Sequence, residues 1–476
     1  MQDPRDHRAL ARPLPSPVVL IVRKLIVIAL DQYVRNMLAA GAFADIEDED
    51  TYYIAGRLDD TSELERRRGY LGVIDGTTER RNTYRDLRRL YLASYRFRSR
   101  TQRIKLRFMP PVERVVLKLR SIPGLRHLIA RRYMRKLGFL PKLHETISEL
   151  RPDIVIAPSG GTDPLVLDAF HSARELGITT LLIPFNWDNL SSKSAYPILP
   201  DYLGVVGPQS VDHAQSIHRI PKERVSILGA PYIDAYFHRE PNSTQAPFPF
   251  RYVLFAGCYM PFDERTSLEL LDREIDRLGL DLKVVYRPHP QRRRRRVPDR
   301  VDESRLSHVV IDPQVRDQYF RSFDPDALEG GRAPMPALEY YPALLEHAEF
   351  VICPLSTMVL ESAIFERQVI VIAYHDGIHK DSPGVIVNYD HFQGMDRIEG
   401  LHMCHEMDDL VPLFQRLAAD PALPEGLSMR AQVHPWIYHD ERPYSERLAE
   451  LVDRIADREG LPDQPSMVAP ATGRTA

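Results

Sequence analysis

The stretch Phe350-Val-Ile-Cys-Pro-Leu-Ser-Thr-Met-Val-Leu-Glu-Ser-Ala-Ile-Phe-Glu-Arg-Gln-Val-Ile-Val-Ile-Ala373 holds a whole β–α–β unit. Phe350 to Cys353 is a continuous apolar run of strand length. Ser356-Thr357 stands where a helix should begin, Met358 to Glu366 is helical, and Val369 to Ala373 is a second apolar run. Strands apolar on both faces belong to a sheet covered by helices on both sides, and strands joined through a helix run parallel.

Moving upstream, the same alternation recurs. Tyr252 to Gly257, Leu282 to Tyr286 and Val309 to Ile311 read as strands, Thr266 to Leu278 and Tyr341 to His347 as helices. Before them, Glu240 to Pro249 is polar and Pro-rich, as a linker would be. The first half repeats the pattern independently. Lys24 to Leu30, Thr51 to Ala55, Tyr70 to Ile74, Asp153 to Ala157, Thr179 to Ile183 and Tyr202 to Val206 are strand-like. Helices are expected at Gln32 to Asp45 and Pro164 to Leu176, and a long helical region from Thr83 to Leu150 is broken near Pro110-Pro111, Pro123 and Pro141.

The expected plan is therefore an irregular tail at 1–16 and an N-terminal Rossmann-like unit at 17–238 carrying a basic helical insertion at 80–150. A linker at 239–250 leads to a C-terminal Rossmann-like unit at 251–440, a final helix at 441–458 and a disordered tail at 459–476. Open parallel sheets take ligands in the crevice outside the carboxyl ends of their strands, at the point where strand order reverses. The loops after Ala157, Ile183, Ala256, Tyr286, Cys353 and Ala373 are thus the ones expected to carry function.

Composition narrows the classes. The 476 residues suit two domains, 43% of them are hydrophobic, and a net charge of -3 argues against a whole-protein nucleic-acid binder. Cys258, Cys353 and Cys404 are odd in number and far apart, which speaks against a disulfide framework and for a reducing cytoplasm. The most apolar stretch, Val18 to Leu30, is interrupted by Arg23 and Lys24 and is shorter than the ~20 residues that span a bilayer.

Two loops in the second half bear chemistry. Tyr286-Arg-Pro-His-Pro290 ends a strand with a cation and an imidazole on a proline-stiffened backbone, which suits phosphate recognition. Ser356-Thr357 begins a helix whose free N–H groups favour an anion, and Glu361 lies one turn further on the same side. In this order the motifs resemble those of bacterial GT-B glycosyltransferases of surface-polysaccharide assembly, the sialyltransferase-like and Kdo-transferase-like enzymes. The same pair occurs in glycerophosphotransferases that use CDP-glycerol. Val225-Ser-Ile-Leu-Gly-Ala-Pro-Tyr-Ile-Asp234 is similar to a segment of UDP-sugar 2-epimerases.

The resemblance implies a GT-B fold: two tandem Rossmann-like domains facing across a cleft, the last helix (Tyr444 to Ile455) packing back on the first. It implies a glycosyltransferase that moves a sugar from a nucleotide-sugar donor to a glycan or lipid-linked acceptor. The alternatives are a glycerophosphotransferase, a 2-epimerase-like enzyme and a non-catalytic scaffold. Arg287 and His289 would contact the donor phosphates with Ser356 and Thr357, Glu361 the ribose, and Gly257 would let backbone approach the donor. No metal or cofactor beyond the nucleotide-sugar is expected, although His375 to His379 and His402 to His405 have ligand-like spacing.

In the first half, Pro158-Ser-Gly-Gly-Thr-Asp-Pro164 suits an anion or presents Asp163 to an acceptor hydroxyl. Phe185-Asn-Trp-Asp-Asn-Leu-Ser-Ser-Lys193 offers Trp187, Asn189 and Lys193 to the acceptor sugar. Asp188, then Asp163, are the candidates for a catalytic base, ahead of Asp31 and Asp75. Arg80 to Lys136 is rich in Arg and Lys with interleaved aromatic and aliphatic residues. It fits either a solvated helical face or peripheral contact with an anionic membrane on its cytoplasmic side. Arg292 to Arg296 is a further basic run. No nucleic-acid module is recognised.

Overall fold

A computed structural model of the chain describes residues 22–240, 243–289, 300–323, 337–379 and 382–457. Both expected tails, part of the linker and the Arg292 to Arg296 run lie outside these residues. Among the described residues thirteen strands form two sheets, parallel throughout.

The first sheet holds β1 (Lys24–Ile28), β2 (Thr51–Ala55), β3 (Tyr70–Val73), β4 (Ile154–Ser159), β5 (Thr179–Pro184), β6 (Tyr202–Val205) and β7 (Val225–Ile227). Their order is β3-β2-β1-β4-β5-β6-β7. The second holds β8 (Tyr252–Ala256), β9 (Lys283–Arg287), β10 (Val309–Ile311), β11 (Ala348–Pro354), β12 (Val369–Ile372) and β13 (Leu401–Cys404), in the order β10-β9-β8-β11-β12-β13. Strand order reverses between β1 and β4 in one sheet and between β8 and β11 in the other. Carboxyl-end loops of the two sheets meet, Asn186 and Trp187 after β5 bonding Thr357 after β11, and this places the cleft.

The insertion after β3 is five helices: α1 (Thr78–Ser94), α2 (Arg100–Arg107), α3 (Pro111–Arg120), α4 (Pro123–Leu137) and α5 (Pro141–Leu150). Pro111, Pro123 and Pro141 each occupy the first helical turn, where a missing N–H costs nothing. Ser99 adds a break that proline counting does not show, because its hydroxyl accepts from Gln102 N (3.1 Å) and caps α2. The remaining helices used below are α6 (Pro164–Glu175), α7 (Thr357–Ile364) and α8 (Tyr444–Ala456).

Helix α8 packs on the first domain. Tyr444, Leu448, Leu451, Val452 and Ile455 join the same core as β1, β4 and β5. The buried Arg447 fastens it, donating to Asp234 Oδ1 (2.7 Å) and to Leu228 O (2.9 Å). A second core runs through the junction of the halves, where Trp187, Tyr232 and Tyr236 meet Val359, Leu360 and Trp436.

The expected helix from Gln32 to Asp45 is instead a short helical turn at Asp31–Tyr33, a π turn at Val34–Leu38 and a 3-10 turn at Ala44–Ile46. Gly41, at φ 71°, is in the left-handed region that ends a right-handed helix. The segment His402 to His405, whose spacing suggested metal ligands, lies on β13 and its end. His402 Nε2 bonds Gln368 Oε1 (2.7 Å), its Nδ1 meets Arg416 Nη2 (2.7 Å), and Cys404 donates to Glu406 O (3.2 Å).

Candidate functional site

The cleft is built from the carboxyl-end loops of β1, β4 and β5 on one side and of β8, β9 and β11 on the other. On the first side the loop after β4 is a closed hydrogen-bonded unit. Asp163 is buried, and its carboxylate accepts from Tyr33 Oη (2.8 Å), Ser159 Oγ and Thr162 Oγ1 (3.3 Å). The Tyr33 hydroxyl also accepts from Gly160 N (3.0 Å), and Ser159 Oγ accepts from Gly161 N (3.0 Å). Burial raises the Asp163 pKa although these hydroxyls oppose it. The two glycine amides are therefore engaged and the carboxylate is saturated. This corrects the reading of the loop as an anion cradle and of Asp163 as a base for an acceptor: the residue braces the loop.

The loop after β5 turns inwards. Trp187 is 2% exposed, its ring lying edge-on to His391 (5.5 Å) and Phe392 (5.7 Å) of the other half. Its indole Nε1 donates to Thr357 Oγ1 (3.2 Å), as does Asn186 Nδ2 (3.3 Å). Asn189 is fully buried and accepts from Asn186 N (2.9 Å). Neither Trp187 nor Asn189 presents a face to a sugar, contrary to the expectation. The aromatic ring and the amide are consumed in joining the halves.

Asp188 is half-buried and accepts from Ser192 Oγ (2.7 Å) and Asn189 Nδ2 (3.2 Å). Burial pushes its pKa up, but Lys193, His391 and the Ser192 bond overcome this and hold the carboxyl below its ordinary value. Lys193 also favours the ionised form of Asp163, so its charge acts on both aspartates.

On the second side, Gly257 N donates to Arg287 O (2.8 Å). A Cβ at 257 would come within 2.8 Å of Glu264 Oε1 and 3.1 Å of His289 N and Pro288 Cα. Here glycine is required because the His289 loop itself approaches. His289 is half-buried, its ring edge-on to the exposed Tyr259 at 5.3 Å.

Arg287 does not reach for a ligand. Alternation along β9 puts Val285 in the core at the junction and Tyr286 in the opposite one, so Arg287 falls on Val285's side. There its guanidinium is buried, paired with Asp312, donating to Tyr341 Oη (3.0 Å) and lying over the Tyr341 ring at 4.7 Å. The sequence reading, which ended the strand at Tyr286, had placed this side chain in a loop facing the donor.

Ser356 precedes α7 in extended conformation and gives the helix no side-chain cap, leaving first-turn N–H groups at the cleft. Glu361, one turn along, is 8% exposed, and its carboxylate has no hydrogen-bond partner among the described residues. Burial raises its pKa to about 7, opposed by the charges of Arg35 and Arg287. Arg35 enters from the π turn after β1, and its Nη2 donates to Ala337 O (3.4 Å). Arg35, Asn186 and Tyr33 were not singled out in the sequence. Only their positions within a few residues of strand carboxyl ends could have flagged them.

Among the described residues no three His, Cys, Asp or Glu side chains are placed to hold a metal. No helix among them is long and apolar enough to cross a membrane.

No family model and no curated protein sequence matches this chain. Solved structures do. The S. aureus MnaA–UDP co-structure aligns with a TM-score of 0.51 at 11% identity, covering 92% of this chain and 97% of that one. A UDP-N-acetylglucosamine 2-epimerase structure aligns with a TM-score of 0.50 at 13% identity, covering 94% and 99%. A protein of Listeria monocytogenes assigned that same activity aligns with a TM-score of 0.51 at 11% identity, covering 93% and 98%. With the two facing parallel sheets and the returning terminal helix, these likenesses establish the architecture: the chain has the GT-B fold.

Proposed function

We propose that the cleft binds a nucleotide-activated sugar and that the protein transfers the sugar to a glycan or lipid-linked acceptor in cell-surface polysaccharide assembly. The observation that carries this reading is Glu361. The Glu361 side chain is 8% exposed, burial raises its pKa, and no hydrogen bond from the described residues holds it, so a ligand's hydroxyls would supply the donors that favour its charged form. The two hydroxyls of a ribose are such donors, and the free N–H groups of α7 beside it suit the attached phosphates. His289 and the Gly257 backbone lie on the same rim. UDP in the S. aureus co-structure makes a uridine nucleotide the first to try.

In the transfer, an acceptor oxygen would attack the anomeric carbon while the nucleoside diphosphate leaves with its bonding electrons. His289 and the α7 amides would meet the charge of the leaving group, and Asp188 would take the acceptor proton. Asp188 is kept as the candidate base because, unlike Asp163, it is only half-buried. No metal or other cofactor enters this proposal. A thermal-shift screen against UDP, GDP, CDP, CMP and dTDP tests the donor site. One nucleotide should raise Tm, and His289→Ala should lose that shift; no shift with any of them would count against the reading.

The named 2-epimerase neighbours favour a second reading, in which the same nucleotide-sugar is epimerised. Incubation with UDP-N-acetylglucosamine and no acceptor would then yield an epimer, whereas a transferase would leave it unchanged.

The insertion also supports peripheral contact with an anionic membrane. Val112 (77% exposed), Val115, Val116, Leu119, Ile122, Leu125 and Leu128 form an exposed apolar run along α3 and α4, and α3 buries none of its residues. Arg114, Lys118, Arg120, Arg131 and Arg132 surround it. Co-sedimentation with phosphatidylglycerol vesicles should fall when Val115 and Leu119 are both changed to Ser; unaltered sedimentation would remove this contact.

A further inference from the structure

Helix α2 is a strut between the halves. On one face Gln102 Nε2 donates to Ser191 O (3.1 Å) and Ser192 O (3.0 Å), and Thr101 Oγ1 accepts from Asp390 N (2.8 Å). Arg100, Arg103 and Arg107 stand on another, spaced three and four residues apart so that all three project together. They line a pocket of 470 Å³ whose opposite wall is His375, Gly384 and Asn388. That wall belongs to the loop after β12, another carboxyl-end loop of the second sheet. Gly384 packs so close that a Cβ there would meet His375 Cδ2 at 2.7 Å, and Ser382 Oγ engages His375 Nδ1 at 2.6 Å, so the imidazole is held in place.

The charge balance of the pocket is one-sided. Arg100 donates to the neutral amide oxygen of Asn388. Arg103 and Arg107 are exposed and form no side-chain hydrogen bond or ion pair among the described residues. The near carboxylate, Asp390, is committed to the start of α2, accepting from Ser99 Oγ (2.6 Å), Arg100 N (3.1 Å) and Thr101 N (3.0 Å). Three guanidinium groups on one helix face repel each other, and a concave wall concentrates their field. Arginine forks match phosphate oxygens two at a time.

We infer that this pocket binds a phosphate or pyrophosphate group, the anionic link by which an acceptor glycan is tied to its lipid. The inference rests on the transferase reading for its acceptor, and it adds the acceptor's chemical class. The position agrees, since α2 leads directly into the exposed apolar run of α3 on one side and lies against the cleft loops on the other. The same chemistry is offered by a phospholipid headgroup, and the test separates the two sources.

The probe is inorganic pyrophosphate, titrated calorimetrically at low salt into the full chain, into Arg103→Ala/Arg107→Ala, and into Arg66→Ala/Arg68→Ala. The last removes the same charge from exposed positions outside the pocket. The pocket variant should raise Kd at least tenfold, and the control less than twofold. Equal effects in the two variants, or none in either, would overturn the inference. The nucleotide screen is run on the same proteins. Retained nucleotide binding with unaltered pyrophosphate affinity would sink the pocket and leave the donor site standing. A pocket effect without any nucleotide binding would do the reverse. Vesicle sedimentation then identifies the source. Loss of phosphatidylglycerol binding in the pocket variant assigns the site to a headgroup, and unchanged sedimentation assigns it to the acceptor.

Discussion

Asp163 and Glu361 make a matched pair. Each is a buried carboxylate, each sits at a carboxyl-end loop or the helix after it, and burial raises the pKa of both. They differ in company. Asp163 is held by three hydroxyls from its own half of the molecule, whereas Glu361 has none. A satisfied buried carboxylate rigidifies the loop that holds it, and an unsatisfied one stores a demand for donors. The first half of the cleft therefore works as a frame, and the second half, on the proposed reading, presents the carboxylate that a ribose would engage.

The largest expected effect would break this contrast if it failed. Asp163→Ala strands the Tyr33 and Ser159 hydroxyl protons and loosens the two oxygens on which the Gly160 and Gly161 amides rest. It should cost roughly 4 kcal/mol in urea unfolding. Glu361→Gln, in contrast, should leave stability at pH 8 equal or higher. Equal losses in the two variants would erase the distinction.

The next concerns pH. The Glu361 carboxyl titrates at about 7 in the folded chain, above its ordinary 4.5. The folded state thus holds a proton that the unfolded state has released. The stability this contributes is full below about pH 4.5 and is lost as pH rises through 7, at most about 3 kcal/mol. Urea midpoints of the unliganded protein between pH 5 and 8 should fall with that sign, and Glu361→Gln should flatten the profile. A ligand whose hydroxyls donate to the carboxylate favours its ionised form, so nucleotide affinity should rise over the same interval. A smaller effect sharpens the picture of the junction. Trp187→Phe removes the bond to Thr357 together with part of the buried ring, and should cost about 2 kcal/mol in thermal or urea unfolding.

The sequence was most legible where backbone physics acts alone. Runs such as Leu25 to Ile28 and Val369 to Ile372 are apolar on both faces, which is the mark of a covered parallel strand, and the helix starts at Pro111, Pro123, Pro141 and Pro164 follow from proline's fixed φ. What escaped depends on direction and on closure. A one-residue shift in the end of β9 decides whether Arg287 belongs to a strand or a loop, and periodicity does not resolve it. Trp187 and Asn189 were rightly placed in a cleft loop, but that loop is packed against the other half, a contact between residues some 200 positions apart. β13 was missed because His402 and Cys404 alternate with Leu401 and Met403 in a pattern that spacing alone reads as ligands. Glu361 was found through a helical offset from Thr357; its burial and lack of partners were not visible in the sequence.

On the proposed reading, Glu361 holds the ribose of a bound nucleotide. Its most direct test is a calorimetric cycle with the nucleotide found in the screen and its 2′-deoxy analogue, on the unaltered chain and on Glu361→Ala. The unaltered chain should prefer the ribonucleotide at least tenfold, and the variant should bind both weakly and without preference. A ribonucleotide preference that survives in the variant, or a variant that binds as tightly as the unaltered chain, would contradict that reading.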